Sequence, residues 1–192
     1  MDKVAAILQS GGVALLPTDT VYGLVASPKH PNAIAKIFTL KNRPAAKNLP
    51  ILVADIAQIE ALGAVLTART RTLLASRFIP GALTLVLPLS GGPEWLAGRT
   101  EVALRIPDDA PLRALLAQTG PLLATSANAS GQETPAHVSA ILPQLTGSPD
   151  IVVDDGPRPR QPSTLINCLT TPFSVQRTGA LSPADIKEIL AL

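Results

Sequence analysis

Four consecutive apolar residues, Val13-Ala14-Leu15-Leu16, lie between the pair Gly11-Gly12 and Pro17 and predict a short strand covered on both faces. Proline has no N–H to give to a ladder, so pairing is expected to stop at Pro17. Thr18, Asp19 and Thr20 follow, and apolar character then returns through Val21-Tyr22-Gly23-Leu24-Val25-Ala26. In α/β sheets the ends of buried strands are where ligands sit. Two readings fit this turn. In one, its hydroxyls and carboxylate satisfy local backbone groups. In the other it is a substrate cradle, with Tyr22 as a flat wall and Gly23 permitting close approach.

The rest of the chain alternates between helical and strand patterns. Helices are expected over residues 2–10, 31–40, 56–62, 67–78, 108–118 and 134–142, and a last one begins at Ser182-Pro183. Asp55 and Ser182 stand where N-terminal caps belong. Strands are expected over 50–53, 83–87, 102–106, 121–125, 151–153, 165–168 and 174–176. Such a pattern predicts a mixed α/β fold, and 192 residues without a long linker predict one domain over 1–192. Aromatic residues make up only 3% of the chain, so the core must rest on Ala, Leu, Val and Ile.

Several functional classes lack their signatures. No apolar run approaches the roughly 20 residues of a membrane span, and the N-terminus does not read as a signal peptide. A single cysteine, Cys168, excludes an internal disulfide and agrees with a cytoplasmic location. Two histidines, His30 and His137, make no zinc cluster with it, and neither GxxxxGK[ST] nor GxGxxG occurs. The net charge of +2 does not by itself identify a nucleic-acid binder.

Cations and hydroxyls at element ends remain. Lys41, Arg43 and Lys47 fall in one loop, either as a solvated basic run or as a clamp for polyphosphate. Arg105 interrupts the apolar strand Val102-Ala103-Leu104-Arg105-Ile106. A buried guanidinium needs an anion or a full set of acceptors, which a structural ion pair or a carboxylate ligand would equally supply. Thr125-Ser126-Ala127-Asn128-Ala129-Ser130-Gly131, Ser163-Thr164 and Arg177-Thr178-Gly179 repeat the theme beside other strands. Together these segments suggest a cavity for anions.

In this order the segments Pro17-Thr18-Asp19-Thr20-Val21-Tyr22-Gly23-Leu24, Lys41-Asn42-Arg43-Pro44, Pro80-Gly81-Ala82-Leu83-Thr84, Val102 to Pro107, Ser126 to Gly131, Ser163-Thr164 and Arg177-Thr178-Gly179 resemble the YrdC-like family of L-threonylcarbamoyladenylate synthases. The resemblance implies a twisted mixed sheet with flanking helices around a large basic cavity. It implies that L-threonine, bicarbonate and ATP give threonylcarbamoyl-AMP and pyrophosphate. A separate transferase complex then modifies a tRNA adenosine. By resemblance Lys41 and Arg43 are catalytic, and Arg43, Lys47, Ser126, Asn128, Thr134 and Arg177 surround ATP. Thr18 or Thr20, Tyr22, Arg105 and Ser163 surround threonine. No protein metal site is implied; magnesium would be held mainly by phosphates, and weak tRNA binding is allowed. Longer relatives carry a histidine where this chain aligns Leu52, and they have a further C-terminal domain. Three other readings stand beside this one, the first a paralogue that kept the fold and lost the activity, against which the presence of Lys41, Arg43, Ser126 and Asn128 argues. A non-catalytic RNA-binding module of the same fold would be short of aromatics for base stacking. A carbamoyl-transfer enzyme of the hydrogenase-maturation type would need zinc-binding cysteines.

Overall fold

The computed structural model describes residues 1–42 and 48–192. Its described residues form a nine-stranded mixed sheet in the order β7-β1-β2-β6-β3-β5-β4-β8-β9. The strands are β1 (Val13–Leu16), β2 (Gly23–Ala26), β3 (Ile51–Leu52), β4 (Leu83–Pro88), β5 (Glu101–Arg105), β6 (Leu122–Ser126), β7 (Ile151–Val152), β8 (Thr164–Asn167) and β9 (Ser174–Arg177). The helices are α1 (Asp2–Gln9), α2 (Pro31–Leu40), α3 (Ile56–Ala61), α4 (Ala68–Leu74), α5 (Ala110–Thr119), α6 (Val138–Ile141) and α7 (Pro183–Ala191). The mixed α/β sheet with flanking helices expected from the sequence is the one observed. Pro17 ends β1 as anticipated, since a residue without an N–H cannot extend the ladder.

The period-2 alternation of strand side chains divides the core into two layers. On one face Val13, Leu15, Leu24, Ala26, Ile51, Leu85, Leu104 and Ile166 pack with Ala33 and Ile37 of α2, Leu73 and Leu74 of α4 and Ile189 of α7. On the other, Ala14, Leu16, Val25, Leu122 and Ala124 pack against Val4, Ala5 and Leu8 of α1 and Leu112, Leu115 and Leu116 of α5. The α1–α5 pair therefore covers the β1–β2–β6 part of its face and reaches Leu52 of β3.

Two helices are shorter than their patterns predict. Over 134–142 only α6 forms, followed by a 3-10 turn at Leu142–Gln144. The Thr134 hydroxyl donates to Asn128 Oδ1 at 2.9 Å, and the Ala136 carbonyl accepts the Arg158 N–H at 2.8 Å instead of a helical one. Over 67–78, α4 stops at Leu74, and the Ser76 hydroxyl takes the Leu73 carbonyl at 2.7 Å. In both places a polar side chain or a distant backbone group competes with the helix ladder.

Thr164, fully buried on β8, joins this strand to the segment after β9. Its hydroxyl oxygen accepts the Gly179 N–H at 3.1 Å and the Leu181 N–H at 3.2 Å. Thr164→Val keeps the shape and removes that acceptor. It is expected to cost about 1–3 kcal/mol, read as a lower urea midpoint with unchanged slope.

Candidate active site

Strand register builds the site. Leu52 pairs with Leu122 on one side and Arg105 on the other, the β4–β5 register sets Thr84 beside Arg105, and Thr84 pairs with Leu165, itself opposite Arg177. Leu122, Leu52, Arg105, Thr84, Leu165 and Arg177 thus form one row across the sheet, on the α1–α5 face. Beyond those helices this face is the floor of a cavity of about 350 Å³. Thr18, Thr20, Tyr22 and Ser163 line it from above the sheet, and Ser126 lines it from the end of β6.

Arg105 is only 7% exposed, and its Nη2 forms an ion pair of 2.6 Å with Asp19, equally buried. Nη1 donates to Thr20 Oγ1 at 2.9 Å and Nε to the Gly81 carbonyl at 2.9 Å. Burial lowers the pKa of this guanidinium, and the Asp19 charge opposes that shift. The structural ion pair is therefore real, yet three bonds leave two of the five guanidinium N–H groups for a ligand. The turn also satisfies itself. Thr18 gives its hydroxyl proton to the Val21 carbonyl at 2.7 Å, so the Thr20 hydroxyl donates to Thr18 Oγ1 at 3.0 Å. Thr20 then presents an oxygen lone pair beside the Arg105 donors. Donors for a carboxylate adjoin an acceptor for an ammonium, the complement of an amino acid.

Tyr22 is fully buried, and burial raises the pKa of its phenol. The hydroxyl donates to the Gly156 carbonyl at 2.6 Å and accepts the Asp155 N–H at 3.0 Å. It thereby binds the loop after β7 to the turn, and the ring lines the cavity. Ser163 and Thr84 share a hydrogen bond of 2.7 Å. Arg177 donates to the Ser163 carbonyl through Nε at 3.2 Å and Nη2 at 2.9 Å. Burial and the neighbouring charge of Arg105 both lower the pKa of Arg177. Two cations facing one hollow favour an anionic occupant. Gly179 fixes the wall at this point, because a Cβ there would lie 2.2 Å from the Pro162 carbonyl oxygen.

Of the remaining expected site residues, Lys41, Asn128 and Thr134 do not line the cavity but form a buried knot behind Ser126. The Lys41 ammonium donates to the Ser126 carbonyl, to the Asn128 carbonyl at 2.6 Å and to Asn128 Oδ1 at 3.4 Å. The Asn128 amide donates to the Ala129 and Gln132 carbonyls at 2.8 and 2.7 Å. Arg43 and Lys47 lie outside the described residues. Leu52 lines the cavity in the row of Arg105 and presents an apolar surface there.

Thr84 and Arg99 line the cavity as well, although the sequence gives them no role there, and Asp19 of the expected cradle serves through its ion pair with Arg105. Thr84 had a signal, since it interrupts the apolar run Leu83-Thr84-Leu85 at the parity that faces the cavity. Among the described residues no three His, Cys, Asp or Glu side chains cluster to hold a metal ion, and Glu101 is the one acid of the lining. Cys168 is buried and its thiol is pushed up to about 12, which leaves it unreactive. No helix of the described residues is long and apolar enough to cross a membrane.

A family model described as Telomere recombination, Sua5/YciO/YrdC, matches residues 6–179. A threonylcarbamoyl-AMP synthase of Bacillus subtilis is 36% identical over 193 residues, which are 98% of this chain and 56% of that protein. One from Stenotrophomonas maltophilia is 37% identical over 163 residues, covering 80% of this chain and 85% of that protein. Pyrococcus abyssi Sua5 complexed with L-threonine superposes with a TM-score of 0.86 at 33% identity, over 97% of this chain and 56% of that one. The chain thus spans just over half the length of two of these relatives.

The buried pair gives a test of structure. Arg105→Ala leaves the Asp19 carboxylate buried and unpaired and is expected to cost about 3–5 kcal/mol of unfolding free energy. The double variant Arg105→Met with Asp19→Asn should lose clearly less in the same denaturant titration, since no lone charge remains.

Proposed function

Because the chain belongs to the Sua5/YciO/YrdC family, we propose that it joins L-threonine, bicarbonate and ATP into threonylcarbamoyl-AMP, releasing pyrophosphate. The observation that carries this reading is the meeting of Arg105, Thr20, Ser163 and Arg177 over one row of the sheet, with donors and an acceptor spaced for an amino acid. The threonine amine adds to the carbon of bicarbonate, a C–N bond forms and water leaves, giving a carbamate. A carbamate oxygen then attacks the α-phosphorus of ATP, and the bond to the β-phosphate breaks. Such a nucleotidyl transfer asks the protein chiefly for position and charge.

In this reading the two remaining Arg105 donors and the Ser163 hydroxyl hold the threonine carboxylate. The Thr20 oxygen accepts from the amine, and Leu52, Ala103 and Leu165 keep water from the reacting carbon. Ser126 and Arg177 meet the nucleotide. Lys41 fixes the Ser126–Asn128 turn against the phosphates, and Asn128 and Thr134 hold the turn's shape. Arg43 and Lys47 add their charges to the same triphosphate. Magnesium would come with the triphosphate, would be held mainly by phosphates and would offset their charge, with Glu101 the one carboxylate of the described lining that could assist. The product passes to a separate transferase acting on tRNA, in the cytoplasm.

Purified protein given ATP, bicarbonate and each of several amino acids is expected to release pyrophosphate only with threonine and only with bicarbonate. Pyrophosphate independent of either, or none at all, would overturn the assignment. Ser163→Ala should raise the threonine KM about tenfold, as loss of one bond to a charged group does, and leave the ATP KM nearly unchanged.

A further inference from the structure

Arg99 lines the cavity from the end of β5 opposite Arg105. From Arg105 back to Glu101 the strand runs about 13 Å, and Arg99 lies two residues beyond. The register places Ser126, the last residue of β6, at this same end, where Asn48 also lines the hollow. An amino acid held at Arg105 does not reach so far.

Arg71, Arg77, Arg105 and Arg158 each have a carboxylate partner. The half-buried guanidinium of Arg99 has none among the described residues, and burial alone, with no opposing charge, lowers its pKa. Glu101, the one acid of the described lining, stands at this end too but forms no ion pair with Arg99 among the described residues. A partly desolvated cation without a counter-charge destabilises the empty protein and is relieved by an anion from outside. A planar fork of donors suits phosphate in particular.

We propose that Arg99 is a phosphate-binding residue at the Ser126 end of the cavity, holding the two phosphates that leave as pyrophosphate. The identity of those phosphates rests on the activity proposed above, whereas the anion site itself rests on the geometry. Arg99 touches the leaving group and not the amino acid, so the two ends of β5 divide the substrates between them.

Inorganic pyrophosphate and AMP, titrated separately by calorimetry into wild type, Arg99→Met and Arg99→Lys, provide the test. Arg99→Met should weaken pyrophosphate binding about tenfold or more, with AMP affinity nearly unchanged and Arg99→Lys between. Without ligand, Arg99→Met should melt at the same temperature as wild type or higher, which a structural role would not allow. Pyrophosphate affinity equal in Arg99→Met and wild type, equal weakening of AMP, or no pyrophosphate binding by the wild type would each overturn the inference. Wild type that binds pyrophosphate in an Arg99-dependent way, but releases none from ATP with threonine, would overturn the activity and leave the phosphate site standing.

Discussion

The buried ion pair between Arg105 and Asp19 holds two distant parts of the chain in one place. Asp19 sits in the turn between β1 and β2, and Arg105 ends β5, three places from β2 in the sheet order. Neither charge is tolerable there alone, because removal from water costs each several kcal/mol. Their mutual dependence draws the turn down over the sheet face, and the hydroxyls of Thr18 and Thr20 then lock it. What looks like an energetic liability therefore sets the geometry of the cavity. The same guanidinium that anchors the turn keeps two donors for a ligand, so structural and binding roles share one side chain.

The asymmetry of the sheet explains why there is a cavity at all. One face is closed by apolar residues along its length, from β1 to β8. The other is closed by α1 and α5 over β1, β2 and β6 and as far as Leu52 of β3. Beyond those helices the inward positions of β3, β4, β5 and β8 are Leu52, Thr84, Ala103, Arg105 and Leu165, of which only Leu52 joins the α1–α5 cluster, so the others can face a polar guest.

Much of this was legible from the order of residues. Short apolar runs between glycines and prolines announced most of the strands, and Asp55 and Ser182 announced helix starts that their side chains do cap. The break in apolar character at Arg105 pointed to the site and to both of its uses. Long-range partners could not be read. Lys41 binds carbonyls 85 and 87 residues away, so a cation in a basic loop gave no sign that it would be buried behind Ser126. Residues 134–142 carried a helical pattern, yet Arg158 took the Ala136 carbonyl from outside that segment. Periodicity reports which face is apolar, and it is silent about which distant group will claim a hydrogen bond.

Gly179 has a consequence for how such a pocket can vary. Main chain lies against main chain there, too near for even a methyl group, so this seam admits no side chain from residue 179. The wall carrying Ser163 therefore cannot be reshaped from behind. Any change in what the hollow accepts must be written in the residues that face it directly, and the range of guests open to descendants of this sequence is correspondingly narrow.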